Sequence, residues 1–253
     1  KIILNKKNFN LETERYDKRS LLKIRSKNFR IDNYKSYSIR EHYEIYFKLI
    51  LEKPKDLKIL EICCGSGESS KPIIDNFKNI TFTDISKHSL DLFKLKYKKK
   101  LSNKIIFKIA DIENLPFHKE HFDLVICAGG LSYGDNLKVL NEIYRILKKG
   151  GSFVCIDSLN ENPIYIFNRF IHFLKKERSY KVITRIPDLN LIKKYNKKFG
   201  RTKIIFKGSF IWLTNFIEKF FGYKLAENLS NFLDKRMPPW MAFKFIMEVN
   251  KIK

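Results

Sequence analysis

A doubly wound, mostly parallel α/β sheet of seven strands is the fold class this sequence predicts, and three observations predict it. Short apolar runs alternate with helical periodicity from residue 57 to Asp157. The run "LKILEICCGSG" at 57–67 joins a strand apolar on both faces to a turn with two closely spaced glycines. Three acids, Glu61, Asp84 and Asp111, fall near the ends of the first three predicted strands.

The elements follow in order. Residues 1–34 are polar and basic and read as an N-terminal arm. "YSIREHYEIYFKLILEK" sets Ile39, Tyr43, Tyr46, Phe47 and Ile50 at helical spacing and predicts a lid helix. Leu57, Ile59, Leu60 and Ile62 form the first strand; Gly65 and Gly67, without Cβ, let the backbone lie against a ligand. "ESSKPIIDNF" predicts a helix whose N-terminal N–H groups face that ligand. "NITFTDIS" and "KIIFKIAD" give the second and third strands, and the fourth ends at Ala128 before "GGLSYGD". The fifth strand ends in Asp157, "TKIIFKG" reads as the sixth and "AFKFIMEVNK" as the last. Without repeats or an evident linker, residues 1–253 read as one domain: arm and lid at 1–56, cofactor-binding core at 57–157, acceptor-side elaborations and a helical insert at 158–242.

Two enzyme classes share this opening. Dinucleotide dehydrogenases carry G-x-G-x-x-G/A, but Ser70 stands at the third position here. Glu61, before the turn, can face a cationic ligand. Asp84, seventeen positions after Gly67, can accept two hydrogen bonds from a ribose diol, which both classes use. The dehydrogenase fingerprint does not specify the third acid, Asp111. Each feature also has a plainer reading: the glycines serve a tight turn, Asp84 caps the helix near Ser86, and Asp111 starts a loop.

In order, "ILEICCGSG", "TFTDIS", "IADIENLPF", "FDLVICAGGLSY" and "EIYRILKKGGSFVCID" resemble the class I S-adenosylmethionine-dependent methyltransferases, particularly the group with ubiquinone and menaquinone biosynthesis methyltransferases. The resemblance implies a Rossmann-like sheet whose last strand inserts antiparallel between the fifth and sixth. It also implies S-adenosylmethionine as cofactor, with Glu61, Cys63, Gly65 and Gly67 around its methionine part. Asp84 with Ile85 would hold the ribose, Asp111 with Ile112 would flank the adenine, and Ala128 would complete the site. Cys63 is a departure, since the family often has glycine there.

Methyl transfer needs an in-line nucleophile, and a hydroxyl acceptor gains from a general base. Catalytic candidates are Tyr133 beside Ser132, Asp157 at the fifth strand's end, and His172, although a lone helical histidine also serves structural ends. Arg169, Arg178 and Arg185, with Tyr180, suggest a pocket for a phosphate or carboxylate. Tyr37, Arg40 and His42 on the lid helix are further acceptor candidates, against a reading as a solvated helix face. The segment containing "ITRIPDLNLIKKYNKKFG" is similar to methyltransferases of bacterial surface-polysaccharide assembly. That implies O-methylation of a sugar hydroxyl on a nucleotide-linked or glycan precursor, in capsule or surface-polysaccharide synthesis, while a small anionic acceptor of phosphate or phosphoramidate type suits the arginines equally well. The insert "SFIWLTNFIEKFFGYKLAENLSNFLDKRMPPW" has an apolar face of Trp212, Phe216, Phe220 and Phe221. It reads as a cover for the site or a subunit contact, with peripheral membrane docking as the alternative.

The 253 residues carry a net charge of +24, mostly lysine, and four cysteines. The charge permits a nucleic-acid methyltransferase, but no N-P-P-Y or D-P-P-Y motif closes the fourth strand and no Pro-Cys nucleophile occurs. The densest cluster, Lys94–Lys100, is expected to solvate a helix beside the sheet. Cys63, Cys64, Cys127 and Cys155 fall in or at the ends of central strands without zinc spacing, so no metal is expected. With no signal peptide or membrane-spanning run, the expectation is a cytoplasmic enzyme; a non-catalytic cofactor-fold partner subunit is the remaining alternative.

Overall fold

A computed structural model describes residues 6–25, 37–175 and 178–252, side chains at 6–12 and 37–39 excepted. In chain order the elements are α1 (Lys6–Arg25), α2 (Tyr37–Leu51), β1 (Ile59–Ile62), α3 (Lys71–Asn76), β2 (Ile80–Asp84) and α4 (Lys87–Tyr97). β3 (Ile105–Ile109), β4 (Phe122–Ala128), α5 (Asn136–Ile146), β5 (Leu147–Ser158), α6 (Pro163–Leu174) and α7 (Tyr180–Thr184) follow. The chain closes with α8 (Leu189–Phe199), β6 (Gly200–Lys207), α9 (Ile211–Phe221), α10 (Tyr223–Asp234) and β7 (Lys244–Lys251).

The seven strands form one sheet in the order β3-β2-β1-β4-β5-β7-β6. β7 lies antiparallel between β5 and β6, pairing Ile156 with Ile246 on one side and Ile205 with Ile246 on the other. The last strand therefore takes the expected place. β1 is central, parallel to β2 and β4, and all four of its residues are buried. That double burial explains its unbroken apolar character and leaves Glu61 in the interior.

Each face of the sheet is covered. Val139, Ile143 and Ile146 of α5 pack with Leu191, Tyr195 and Phe199 of α8 on one side. Tyr46 and Ile50 of α2, Ile73 of α3 and Phe93 of α4 pack on the other. Side-chain caps start the helices: Ser86 Oγ accepts from Ser89 N at 3.0 Å, and Asp188 Oδ1 accepts from Leu191 N at 2.7 Å. α3 begins only at Lys71 and runs six residues, later and shorter than expected, and its N-cap residue Ser70 donates its hydroxyl to Glu61 at 2.8 Å, leaving the helix start without a side-chain cap.

The expected N-terminal arm is different in kind: α1 is a helix laid against α4. It is fastened by hydroxyls. Ser20 and Ser89 meet at 3.1 Å, and the Ser86 hydroxyl donates to Asp17.

Candidate active site

The sheet reverses its strand order between β1 and β4, and open α/β sheets place ligands at that switch. A cavity of about 450 Å³ opens there, at the carboxyl ends of β1 to β4. Its floor is the turn after β1. Cys63, Gly65 and Gly67 all adopt left-handed backbone, at φ of 53°, 54° and 75°. For the two glycines this is cheap; for Cys63 it needs compensation. Gly130 supplies the space, since a Cβ there would lie 2.5 Å from that of Cys63.

Gly65 faces the cavity, whereas Gly67 does not line it. A Cβ on Gly67 would lie 2.7 Å from the Phe93 ring, and Tyr97 donates to its carbonyl at 2.9 Å, so this glycine serves packing against α4. Nor does Glu61 line the cavity. Its carboxyl accepts from Ser70 Oγ at 2.8 Å, and burial pushes its pKa up to about 8. A ligand-facing Glu61 is thus corrected: the strand's double burial turns it inward.

Asp84 ends β2 on the cavity wall. Gly65 N donates to one carboxylate oxygen and Ser86 N to the other, each at 2.9 Å. Burial raises its pKa while those bonds oppose the rise. The carboxylate is locked in orientation with lone pairs left for a ligand. Ser86, not Asp84, caps α4.

Asp111 sits after β3, beside Ile112 and Glu113 on the wall. Its carboxylate accepts from Glu113 N at 2.8 Å, and burial raises its pKa. α5 clamps the loop that follows. Arg145 donates to the carbonyls of Leu115 (2.9 Å) and Phe117 (2.7 Å), and Glu142 accepts from Leu115 N at 2.8 Å. Cys63, Ile85, Ala128 and Gly129 complete this half.

The opposite half comes from elsewhere in the chain. α1 contributes Thr13 and Tyr16, α2 contributes Tyr43, and the turn after β4 contributes Ser132 and Tyr133. The Tyr16 and Tyr133 hydroxyls hydrogen-bond, with rings edge to face at 5.7 Å. Lys138, Lys181 and Arg185 bring positive charge to the wall. Glu113 holds Lys138 at 3.3 Å and Arg185 at 3.4 Å.

Several expected acceptor-side residues lie elsewhere. Asp157 is buried behind the wall, accepting from Leu131 N (2.9 Å) and Ser158 N (2.7 Å), so it fixes the turn that carries Tyr133. Arg169 is buried too, donating to the Leu159 carbonyl at 2.8 Å and to Asn160 Oδ1 at 3.0 Å. His42 is fully buried against Gly208, and burial, with Lys244 and Lys207 nearby, lowers its pKa to about 3. Arg40 is exposed over the Tyr223 ring. Arg178 and Tyr180 are exposed, His172 lies on α6, and none of the three lines the cavity. Tyr37 opens α2, but its side chain lies outside the described residues. Helical spacing fixes a face, not its neighbour, and these faces meet other partners. No residue of α3, α9 or α10 lines the cavity, so the insert does not cover it.

Tyr16, Tyr43, Lys138 and Lys181 were not expected at the site. The lysines carried no signal among so many others. Lys96, expected to be solvated, is buried instead, donating to the Ser66 carbonyl at 3.1 Å beneath the glycine turn.

Residues 59–151 match the family model described as a methyltransferase domain. The fold and the cavity at the strand-order switch agree with that match to a methyltransferase domain. Demethylmenaquinone methyltransferase of Lactococcus lactis is 36% identical over 114 residues, which cover 43% of this chain and 45% of that protein. The chain spans about half the length of the curated relatives it matches. A Haemonchus contortus phosphoethanolamine N-methyltransferase 2 structure superposes at a TM-score of 0.66 and 15% identity, covering 99% of this chain and 61% of that one. Geranyl diphosphate C-methyltransferase from Streptomyces coelicolor gives 0.58 and 15%, covering 84% and 79%. At such identities the structural likeness concerns the fold.

Proposed function

We propose that the chain transfers a methyl group from S-adenosylmethionine to a small acceptor bearing an anionic group, held against Tyr16, Tyr133 and the Lys138–Lys181–Arg185 side of the cavity. The observation that carries this reading is the Asp84 carboxylate, locked by two backbone N–H groups on the wall of a cavity at the strand-order switch. The residues fit the cofactor. Asp84 offers acceptors to a ribose diol, Ile85 and Ile112 offer apolar flanks to an adenine beside Asp111, and Gly65 lets the backbone approach the methionine part.

When bound, S-adenosylmethionine supplies an electrophilic methyl group; the acceptor's lone pair takes the methyl carbon and the carbon–sulfur pair returns to sulfur, leaving S-adenosylhomocysteine. The protein's share is alignment and desolvation. Tyr133, backed by the Asp157-fixed turn and hydrogen-bonded to Tyr16, orients the acceptor and can relay its departing proton. Lys138, Lys181 and Arg185 favour a phosphate or carboxylate on the acceptor.

The finer reading is O-methylation of a sugar hydroxyl on a phosphorylated or nucleotide-linked surface-polysaccharide precursor. Of Arg169, Arg178 and Arg185, Arg185 alone lines the cavity, where Lys138 and Lys181 add positive charge beside it. The matched family segment ends at 151, before α7, so relatives' acceptors do not transfer.

Calorimetric titration with S-adenosylmethionine and with NAD tests the cofactor, and a methyl-transfer screen over phosphorylated and nucleotide-linked sugars tests the acceptor. Binding of the former alone is expected, with turnover reduced by Tyr133→Phe and acceptor KM raised by Arg185→Gln. Failure to bind S-adenosylmethionine would overturn the proposal.

A further inference from the structure

Exposed apolar side chains cluster on two helices, with ring contacts inside each cluster (Phe170–Phe173, Phe210–Trp212 and Phe216–Phe220). On α6, Phe167, Phe170 and Leu174 recur at intervals of three and four residues, and 65%, 50% and 62% of their surface is exposed. On α9, Trp212, Phe216 and Phe220 recur every four residues at 49%, 55% and 61% exposure. Scattered exposed apolar residues are ordinary; two helical stripes of large aromatics are not.

The two stripes start from one place. Tyr165 of α6 donates its hydroxyl to the Gly208 carbonyl at 2.7 Å and accepts from Ile211 N, the first residue of α9, at 3.1 Å. Both helices leave the carboxyl ends of their strands, β5 and β6, on the side of the sheet where the cavity opens. The α6 face also reaches toward that opening, because the Phe173 ring lies 6.1 Å from that of Tyr180 at the start of α7. Lys181 and Val182 of α7 line the cavity.

We infer that these two faces dock on an anionic lipid bilayer, lying in its interface. Charge decides the occupant. The molecule carries +24, so two copies repel each other while an anionic surface attracts each. Directly after α6, the sequence from Lys175 to Arg185 holds Lys175, Lys176, Arg178, Lys181 and Arg185 against the single acid Glu177. Aromatic stripes beside basic residues are what an interfacial helix requires. Length excludes spanning. At ~1.5 Å per residue, helices of 12 and 11 residues reach about half of a ~30 Å hydrocarbon core. No described helix is long and apolar enough to cross a membrane. Docking sets the cavity mouth beside the lipid headgroups, so an amphiphilic acceptor reaches α7 without leaving the interface. The docking stands independently of the transferase proposal.

Vesicle co-sedimentation tests it, with phosphatidylcholine alone and with phosphatidylcholine plus phosphatidylglycerol. Binding to the anionic vesicles is expected, reduced by salt and by roughly tenfold in Phe167→Ser/Phe216→Ser/Phe220→Ser, a triple change on exposed positions. The chain has two tryptophans, so Trp240→Phe leaves Trp212 as sole reporter, and bromine-labelled lipid should quench it. Calorimetry with S-adenosylhomocysteine and circular dichroism on the same variants separate lost docking from lost folding or a lost cofactor site. Three results overturn the inference: no anionic-vesicle binding, binding that the triple change leaves intact, or a stable dimer in sedimentation that hides Trp212 from labelled lipid.

Discussion

Replacing Asp84 with alanine separates a ligand-binding carboxylate from a loop clamp. The side chain does two jobs in this geometry, and each has a magnitude. Its bonds from Gly65 N and Ser86 N, both 2.9 Å, contribute ~1 kcal/mol apiece to stability. Burial of the carboxylate, which raises its pKa, offsets part of that. The net loss is therefore ~1–2 kcal/mol, which for a chain of this size lowers Tm by ~2–8 °C. Charge-assisted hydrogen bonds to a ribose diol would add ~1.5–3 kcal/mol to binding, so Kd for S-adenosylhomocysteine should rise about 10- to 150-fold. Asp84→Asn is no rescue, because its amide must turn a donor toward Gly65 N, Ser86 N or the ligand. Calorimetry gives the affinity and thermal unfolding the stability. A fall in Tm with unchanged Kd would refute the ribose assignment and leave Asp84 as a clamp.

Substitutions at three more sites, one of them paired with Cys63→Gly, have definite outcomes. Gly130→Ala puts a Cβ 2.5 Å from Cys63 Cβ and should destabilise by ~1–3 kcal/mol; adding Cys63→Gly should recover part of it, and a double-mutant cycle in denaturant reads the coupling. Glu61, held near 8 by burial, keeps its proton in the folded state while the unfolded chain has lost it. Stability should therefore fall as pH rises from about 4.5 to about 8, by up to ~5 kcal/mol from this group, and Glu61→Gln should flatten that limb of urea-midpoint against pH. His42, lowered to about 3, works the other way: the unfolded chain gains a proton below about 6.5 that the folded chain refuses. Acid should cost stability between those values, and His42→Leu should remove much of that loss; an unchanged acid limb would show that His42 does not carry it.

How much of this was legible depended on whether the determinant was local. β1 could be read because a strand buried on both faces writes itself as unbroken apolar residues, and β7's insertion followed from the resemblance. The turns carrying Cys63, Gly65, Asp84, Asp111 and Ala128 were readable because short motifs fix them beside strand ends. Glu61 misled for the same reason: its position was right, but alternation along a doubly buried strand aimed it inward. The opposite half of the cavity was opaque. α1 has no clean apolar stripe and is held by hydrogen bonds that periodicity does not register, Ser20 to Ser89 and the Ser86 hydroxyl to the Asp17 carboxylate. Tyr16 meets Tyr133 across 117 positions, and nothing local announces such a pair. Arg169 and His42 have side chains that sequence reading assigns to chemistry, yet their surroundings bury them.

The cavity has two walls of different provenance. Residues between Cys63 and Gly129 make one, inside the segment that the family shares. Thr13, Tyr16, Tyr43 and the stretch from Ser179 to Arg185 make much of the other, from outside it. Mutations in α1 or α7 can therefore reshape that wall without disturbing the glycine turn or the Arg145 clamp. The cavity thus joins a wall built inside the matched segment to one built largely by elements beyond its ends, so each can change shape without the other.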